Sequence, residues 1–220
     1  MTLIRNIIFD FGGVIYDIDF LRSVAEFQSL GMDHFDQLYS KAIQDKLFEN
    51  LETDACSPQE FLTELRSYFN ADVSESQIEA AWNALLIGFR PERLQLLKEI
   101  SPFYNIYLLS NTNRIHYSIF LQEFTDLTGH RSFNDLFKKA YLSFEIKSRK
   151  PDSEPYLHVL KDAGIDPHET LFIDDSPQNI QPAKDVGLHT YFLDLSKGED
   201  VLDLFEGNRL KSEIINALLI

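Results

Sequence analysis

Four short apolar runs, each closed by polar residues, set the strongest constraint on how this chain can fold. Leu3 to Phe9 is nearly continuous in apolar character and ends at Asp10-Phe11-Gly12-Gly13. Ile106–Leu109, Thr170–Ile173 and Thr190–Leu193 are built the same way. A strand in the middle of a parallel sheet reads like this, because helices cover both of its faces and no position is left for water. Helical patterns separate the runs, so the expected fold is a doubly wound α/β core.

The runs are unevenly spaced. About a hundred residues separate the first two, where a simple crossover needs roughly 30. The excess, residues 17–88, carries helix signals and no strand signal. Phe20, Val24, Phe27 and Leu30 recur at helical spacing ahead of Gly31. Ser57-Pro58-Gln59-Glu60 is a capping box that opens an apolar face of Phe61, Leu62, Leu65 and Phe69. Ser74 with Gln77 repeats the device before Ile78, Ala81, Trp82 and Leu85. No repeat and no Pro/Gly/Ser-rich linker interrupts the chain, so any second unit is expected as an insertion. Residues 1–16 and 89–220 then form the α/β core, and residues 17–88 an all-helical cap.

Charge narrows the class of partner. The chain carries a net −15, a field that repels phosphate backbones and anionic lipid headgroups, so neither nucleic acid nor a membrane surface is an expected partner. Residues 17–88 hold 14 acidic and 4 basic side chains, and therefore −10 of that total. Eighteen Phe and nine Tyr need a packed interior. The single cysteine, Cys56, allows neither an internal disulfide nor a zinc cluster. Asp10 breaks the first apolar run before it could serve as a signal, and no run reaches the roughly 20 residues of a membrane span. A soluble, cytoplasmic protein is expected.

In an open α/β sheet, ligands gather at the carboxyl ends of the strands. Asp10 stands there, with Gly12 and Gly13 letting the backbone turn tightly and a ligand approach; it can serve as nucleophile or metal ligand, or simply begin a turn. Ser110-Asn111-Thr112-Asn113 closes the second run, where a hydroxyl and free N–H groups suit a phosphate, or cap a helix. Lys150-Pro151 restrains the backbone before a proline and so the direction of Lys150. It lies in a stretch, 138–150, with five basic residues (Lys138, Lys139, Lys147, Arg149, Lys150) against Glu145 alone; most of the five are expected to be solvated. Asp174-Asp175 closes the third run, with Asn179 beyond it; paired carboxylates need a compensating cation, and hard oxygen ligands suit Mg²⁺. Together these groups suit phosphoryl transfer to Asp10, with Ser110 orienting the phosphoryl group and Lys150 and Mg²⁺ offsetting its charge.

The strings Ile8-Phe9-Asp10-Phe11-Gly12-Gly13-Val14, Leu109-Ser110-Asn111-Thr112-Asn113, Arg149-Lys150-Pro151-Asp152 and Phe172-Ile173-Asp174-Asp175-Ser176 appear in order over nearly the whole chain. In this the sequence resembles the haloacid dehalogenase-like (HAD) hydrolases, and most of all their sugar-phosphate phosphatase branch. The resemblance implies a Rossmann-like parallel-sheet core with a helical cap between the first two motifs. It implies a Mg²⁺-dependent phosphomonoester hydrolase acting on a small phosphorylated metabolite through an aspartyl-phosphate on Asp10. Asp10, Ser110 and Lys150 are then the catalytic residues, and Ser110, Asn111, Arg114 and Lys150 the substrate contacts. The metal falls to Asp10, Asp175, the backbone carbonyl of Gly12, and Asp174 acting through water or Lys150.

One position departs from the pattern. The family's phosphatases carry an Asp two residues after the nucleophile as acid and base, and here that residue is Gly12. Such help is typically worth 10²–10⁴-fold. Asp17, Asp19 or water are the available substitutes, and a slow or catalytically silent chain is the alternative. A 2-haloacid dehalogenase would share Asp10 but has little use for Asp174-Asp175. A phospho-receiver domain would place its acidic pair first in the chain and carry no insertion. His116 is expected to be a packing residue, and Phe20, Tyr39, Phe48 and Trp82 to be core more readily than pocket lining.

Overall fold

The computed structural model describes residues 4–32, 35, 46–69 and 72–218; Tyr39 lies outside them. Five parallel strands form the main sheet: β1 (Asn6–Phe9), β4 (Asn105–Ser110), β5 (Lys139–Leu142), β6 (Thr170–Asp174) and β7 (His189–Phe192), in the order β5-β4-β1-β6-β7. Phe9 pairs with Leu108 of β4 on one side and with Ile173 of β6 on the other. The chain runs outward from β1 to β4 and β5, then returns to the other side of β1 for β6 and β7. The strand order therefore switches direction at β1, where a crevice opens beyond the carboxyl ends.

The continuous apolar runs have the expected cause. Along β1, Ile7 and Phe9 face one core cluster and Ile8 the other, and all three are fully buried. One cluster holds α5 (Pro91–Ile100) and α6 (Arg114–Thr128) against the sheet. The other packs α8 (Ser153–Ala163) and α9 (Pro177–Asp185) through Tyr156, Val159 and Ala183. A Rossmann-like α/β core is the observed fold. β5 escaped the sequence reading because its edge position leaves Lys139 exposed and breaks the apolar pattern.

The segment between the first two core strands brings α1 (Phe20–Ser29), α2 (Leu47–Glu52), α3 (Pro58–Arg66) and α4 (Glu75–Asn83) around a separate cluster containing Phe27, Phe48, Phe61, Ile78 and Trp82. Both capping boxes form: Ser57 with Glu60, and Ser74 with Gln77. The expectation of no strand in 17–88 is corrected. β2 (Tyr16–Ile18) and β3 (Leu86–Phe89) pair antiparallel where the chain leaves and re-enters the core. Each is only three or four residues long and includes a non-strand type, Asp17 or Gly88, so neither showed a period.

This ribbon is tied down from two sides. Glu123 on α6 accepts hydrogen bonds from Tyr16 Oη at 2.8 Å and from the Phe89 N–H at 3.1 Å. Arg93 on α5, nearly fully buried, pairs with Asp17 and Asp200, both at 2.8 Å. No helix among the described residues is long and apolar enough to cross a membrane.

Candidate active site

Three neighbouring strands deliver the chemistry to one place. Asp10 follows β1, with its N–H donating to the Ile173 carbonyl of β6 at 2.9 Å; Ser110 ends β4; Asp174 ends β6 and Asp175 follows it. Carboxylate oxygens of Asp10, Asp174 and Asp175 lie within 4.8 Å of one another. Lys150 reaches between two of them, its Nζ donating to Asp10 Oδ1 at 2.5 Å and Asp174 Oδ2 at 2.6 Å.

Burial makes these charges matter. Lys150 is 1% exposed and Asp174 is fully buried. Burial and the neighbouring Asp174 and Asp175 carboxylates outweigh Lys150 and push Asp10 up to about 7. Asp175, raised by burial and by Asp174, stands at about 6. For Lys150, burial works against the charge, yet attraction to Asp10 and Asp174 prevails and holds it protonated. One ammonium faces three carboxylates, so the site has an excess negative charge that a divalent cation would neutralise.

Asp174 has no capacity to spare. Oδ2 takes the lysine, Oδ1 accepts from the Ser176 N–H at 2.8 Å, and the Asn179 amide spans both oxygens at 3.0 Å. Asn179 itself is held at its backbone by Tyr156, whose hydroxyl donates to the Asn179 backbone carbonyl at 3.0 Å. An Asn five residues after an acidic strand end was the signal for this partner.

The second motif starts where β4 ends. Ser110 is 3% exposed, and its hydroxyl has only a 3.5 Å contact to the Asn111 carbonyl, too long to be a committed hydrogen bond. Asn111, named above as a substrate contact, binds the Lys150 backbone with both ends of its side-chain amide, accepting from its N–H at 2.9 Å and donating to its carbonyl at 2.7 Å. That clamp holds the Lys150 backbone in place. Thr112 exchanges two 2.9 Å hydrogen bonds with Ser143, and Asn113 caps α6 through the Ile115 and His116 N–H groups.

His116 is a packing residue. Its ring stacks on Trp82, its Nδ1 faces the Asn113 amide at 3.2 Å, and its Nε2 faces the Trp82 carbonyl at 3.3 Å. Burial lowers it to about 4 and so keeps it neutral.

Arg114, named above as a substrate contact, lies where the core meets the inserted segment. Its guanidinium forms a two-pronged ion pair with Asp54, at 2.6 and 3.0 Å, on the loop between α2 and α3. Lys147 joins the same carboxylate, and Arg149 reaches Glu52 of α2 at 2.9 Å. Hydrogen bonds from Arg114 and Lys147 hold Asp54 far below the ordinary carboxylate range. With Lys139 paired to Asp162 at 2.7 Å, four of the five basic residues in 138–150 have a carboxylate partner; Lys139 and Lys147 remain exposed to solvent, while Lys150 is buried. The acidic segment and the basic stretch were both visible in the sequence. Nothing there showed that they meet.

Of the substitutes for the missing carboxylate at position 12, Asp17 is taken by Arg93 and Asp19 caps α1 through the Leu21 N–H. Gly12 has a side chain against it all the same: a Cβ there would meet Ile18 Cδ1 at 3.0 Å. Phe48 and Trp82 are buried in the second cluster and Phe20 packs against it.

A parallel sheet whose direction switches at β1, with three carboxylates and a buried lysine beyond its strand ends, defines a Rossmann-like α/β protein with an acidic, lysine-bearing site and a largely helical insertion. The chain belongs to the haloacid dehalogenase-like hydrolases, whose family model matches residues 4–187. It is 33% identical over 189 residues to D-ribitol-5-phosphate phosphatase of Bacteroides thetaiotaomicron, an alignment covering 86% of this chain and 91% of that one. Among solved structures it is similar to a HAD family enzyme from Bacteroides thetaiotaomicron in complex with magnesium and inorganic phosphate. The two share 37% identity and a TM-score of 0.78, over 92% of this chain and 100% of that chain. A HAD-like family hydrolase from Porphyromonas gingivalis is 30% identical, with a TM-score of 0.77 over 99% of this chain and 98% of that one.

Proposed function

We propose that this protein is a Mg²⁺-dependent phosphatase that hydrolyses the phosphate monoester of a small hydroxylated metabolite, a sugar or polyol phosphate. The observation that carries this reading is the trio of carboxylates gathered around Lys150 at the switch point of the sheet. The similar phosphatase and the magnesium and phosphate complex support it.

The site suits Mg²⁺ by its donors, which are all oxygen, and by its charge excess. Asp10, Asp175 and the Gly12 carbonyl are the proposed ligands. Asp174, already saturated, acts from outside by holding Lys150. When bound, the ion supplies positive charge against the phosphoryl oxygens. Asp10 attacks the phosphorus in line, forming the Asp10–phosphorus bond as the ester bond breaks. Lys150 and the Ser110 hydroxyl hold the phosphoryl oxygens, and water then attacks the phosphorus and releases Asp10. Residues 17–88 serve as a cap over this site, held to the core by the Asp54 and Glu52 ion pairs. Gly12 offers no proton, so proton transfer to the leaving oxygen and from the attacking water falls to solvent, and turnover is slow for this class.

The test is phosphate release from a panel of phosphate monoesters with and without Mg²⁺. Release that EDTA abolishes and Mg²⁺ restores is expected; no release from any ester would sink the reading.

Cation binding must compete with protons. Asp10 at about 7 and Asp175 at about 6 are largely protonated at pH 5.5 and ionised at pH 8. The rise in Tm produced by a fixed Mg²⁺ concentration is therefore expected to grow between those pH values, as protons are displaced. A pH-independent shift would place the ion elsewhere.

Gly13 gives a second check. It sits at φ +76°, and a Cβ there would come within 2.3 Å of Asp175 Oδ2. Gly13→Ala is expected to cost about 1–2 kcal/mol from the left-handed backbone alone and to weaken Mg²⁺ binding by displacing Asp175, both measurable by thermal shift against Mg²⁺ concentration.

A further inference from the structure

The seam where α2 meets the Lys150 loop contains polar atoms that the protein itself does not satisfy. Ser148 is 6% exposed and its hydroxyl is buried without a hydrogen-bond partner. Glu52 Oε2 and Arg149 Nε are also buried; they form an ion pair with each other at 2.9 Å and have no hydrogen-bond partner besides. One helical turn before Glu52, Phe48 packs on Trp82, whose indole N–H is likewise buried and unpartnered.

A buried donor or acceptor without a hydrogen bond keeps its desolvation cost, and native interiors hold few such groups. Of the seven such atoms among the described residues, three belong to Ser148, Arg149 and Glu52, where the run that ends at Lys150 faces the helix α2. Arg149 directly precedes Lys150, so the ion pair it makes with Glu52 lies beside the phosphate site.

We propose that Glu52, Arg149 and Ser148 form the subsite for the hydroxyl-bearing carbon chain of the phosphate ester. This rests on the phosphatase reading above and names the part of the substrate that the reading leaves open. The donor set selects the ligand class. Each hydroxyl both donates and accepts, so Glu52 takes hydroxyl hydrogens while Arg149 and Ser148 donate to hydroxyl oxygens. Carboxylate and guanidinium cancel, so a neutral polyol chain fits, whereas an acidic leaving group meets Glu52 and a cationic one meets Arg149. A site built on buried polar groups rejects an analogue that lacks the matching hydroxyls, because those groups then stay unpaired.

The experiment compares D-ribitol 5-phosphate with n-pentyl phosphate, which has the same number of carbons and no hydroxyls on its chain. The readout is the ratio of their kcat/KM values in wild type, Glu52→Gln and Ser148→Ala. Wild type is expected to favour the polyol ester by at least about 10²-fold. Glu52→Gln should reduce that ratio by about tenfold or more, chiefly through KM, and Ser148→Ala should reduce it less in the same direction. A ratio that stays within twofold of wild type in both variants overturns the proposal. The rise in Tm with Mg²⁺ and inorganic phosphate reports whether each variant keeps its fold and phosphate site. If wild type hydrolyses neither ester nor any other monoester, it is the phosphatase reading that has failed. If wild type hydrolyses both esters equally well, that reading stands and the subsite is refuted.

Discussion

Asp10→Asn is expected to abolish Mg²⁺-dependent phosphate release, by at least about 10³-fold in kcat, because the amide cannot attack phosphorus. The fold should survive the change. Asp10 is raised to about 7 in the folded chain from an ordinary 3.8, so the folded state binds a proton that the unfolded state has lost between those values. Stability falls as pH rises through that window, and ionised Asp10 is a burden on the metal-free protein above it. The Asn variant escapes the burden. Its metal-free Tm at pH 8 is expected to equal or exceed that of wild type, and its response to Mg²⁺ to be smaller. Activity in the variant comparable to wild type would refute the nucleophile assignment; a collapsed Tm would refute the electrostatic account.

Lys150→Met should have the largest effect on stability. The side chain is 1% exposed and bonded to two buried carboxylates. Removing one partner of a buried ionic group costs about 3–5 kcal/mol, because the remaining charges are left uncompensated. Here three carboxylates lose their only cation. The cost is expected to be smaller at pH 5, where protons can neutralise the carboxylates, than at pH 8, and to be partly reversed by Mg²⁺. Urea unfolding at the two pH values measures it. A destabilisation below about 1 kcal/mol at pH 8 would mean that the carboxylates are already neutral without the lysine. Phosphatase activity should be lost in either case, since Lys150 also faces the phosphoryl oxygens.

Asp10 was readable in the sequence for a simple reason, and Lys150 from its place before Pro151 in a locally basic stretch. A strand buried on both faces has a composition of its own, and polar residues at its carboxyl end stand out against it; Asp10, Ser110 and Asp174-Asp175 are all of this kind. The helices α3 and α4 were readable through local capping chemistry, which depends on residues three apart. β2, β3 and β5 were not. Short strands at a ribbon or sheet edge are fixed by a partner elsewhere in the chain, as Tyr16 is by Phe89 across 73 positions and Lys139 by Tyr107 across 32.

The site divides in the same way. Residue types and their order along the chain indicated an acidic, lysine-bearing site at strand ends, and the sequence placed a largely helical insertion beside it. What each side chain touches was decided only by the tertiary structure. Asn111 grips the Lys150 backbone 39 residues away, Arg114 pairs with Asp54 60 residues before it, and Arg149 meets Glu52. Local patterns record burial and backbone geometry, because both act between near neighbours. Which amide, carboxylate or guanidinium closes on which partner depends on how the inserted helices dock against the sheet, and no periodicity in the chain encodes that distance.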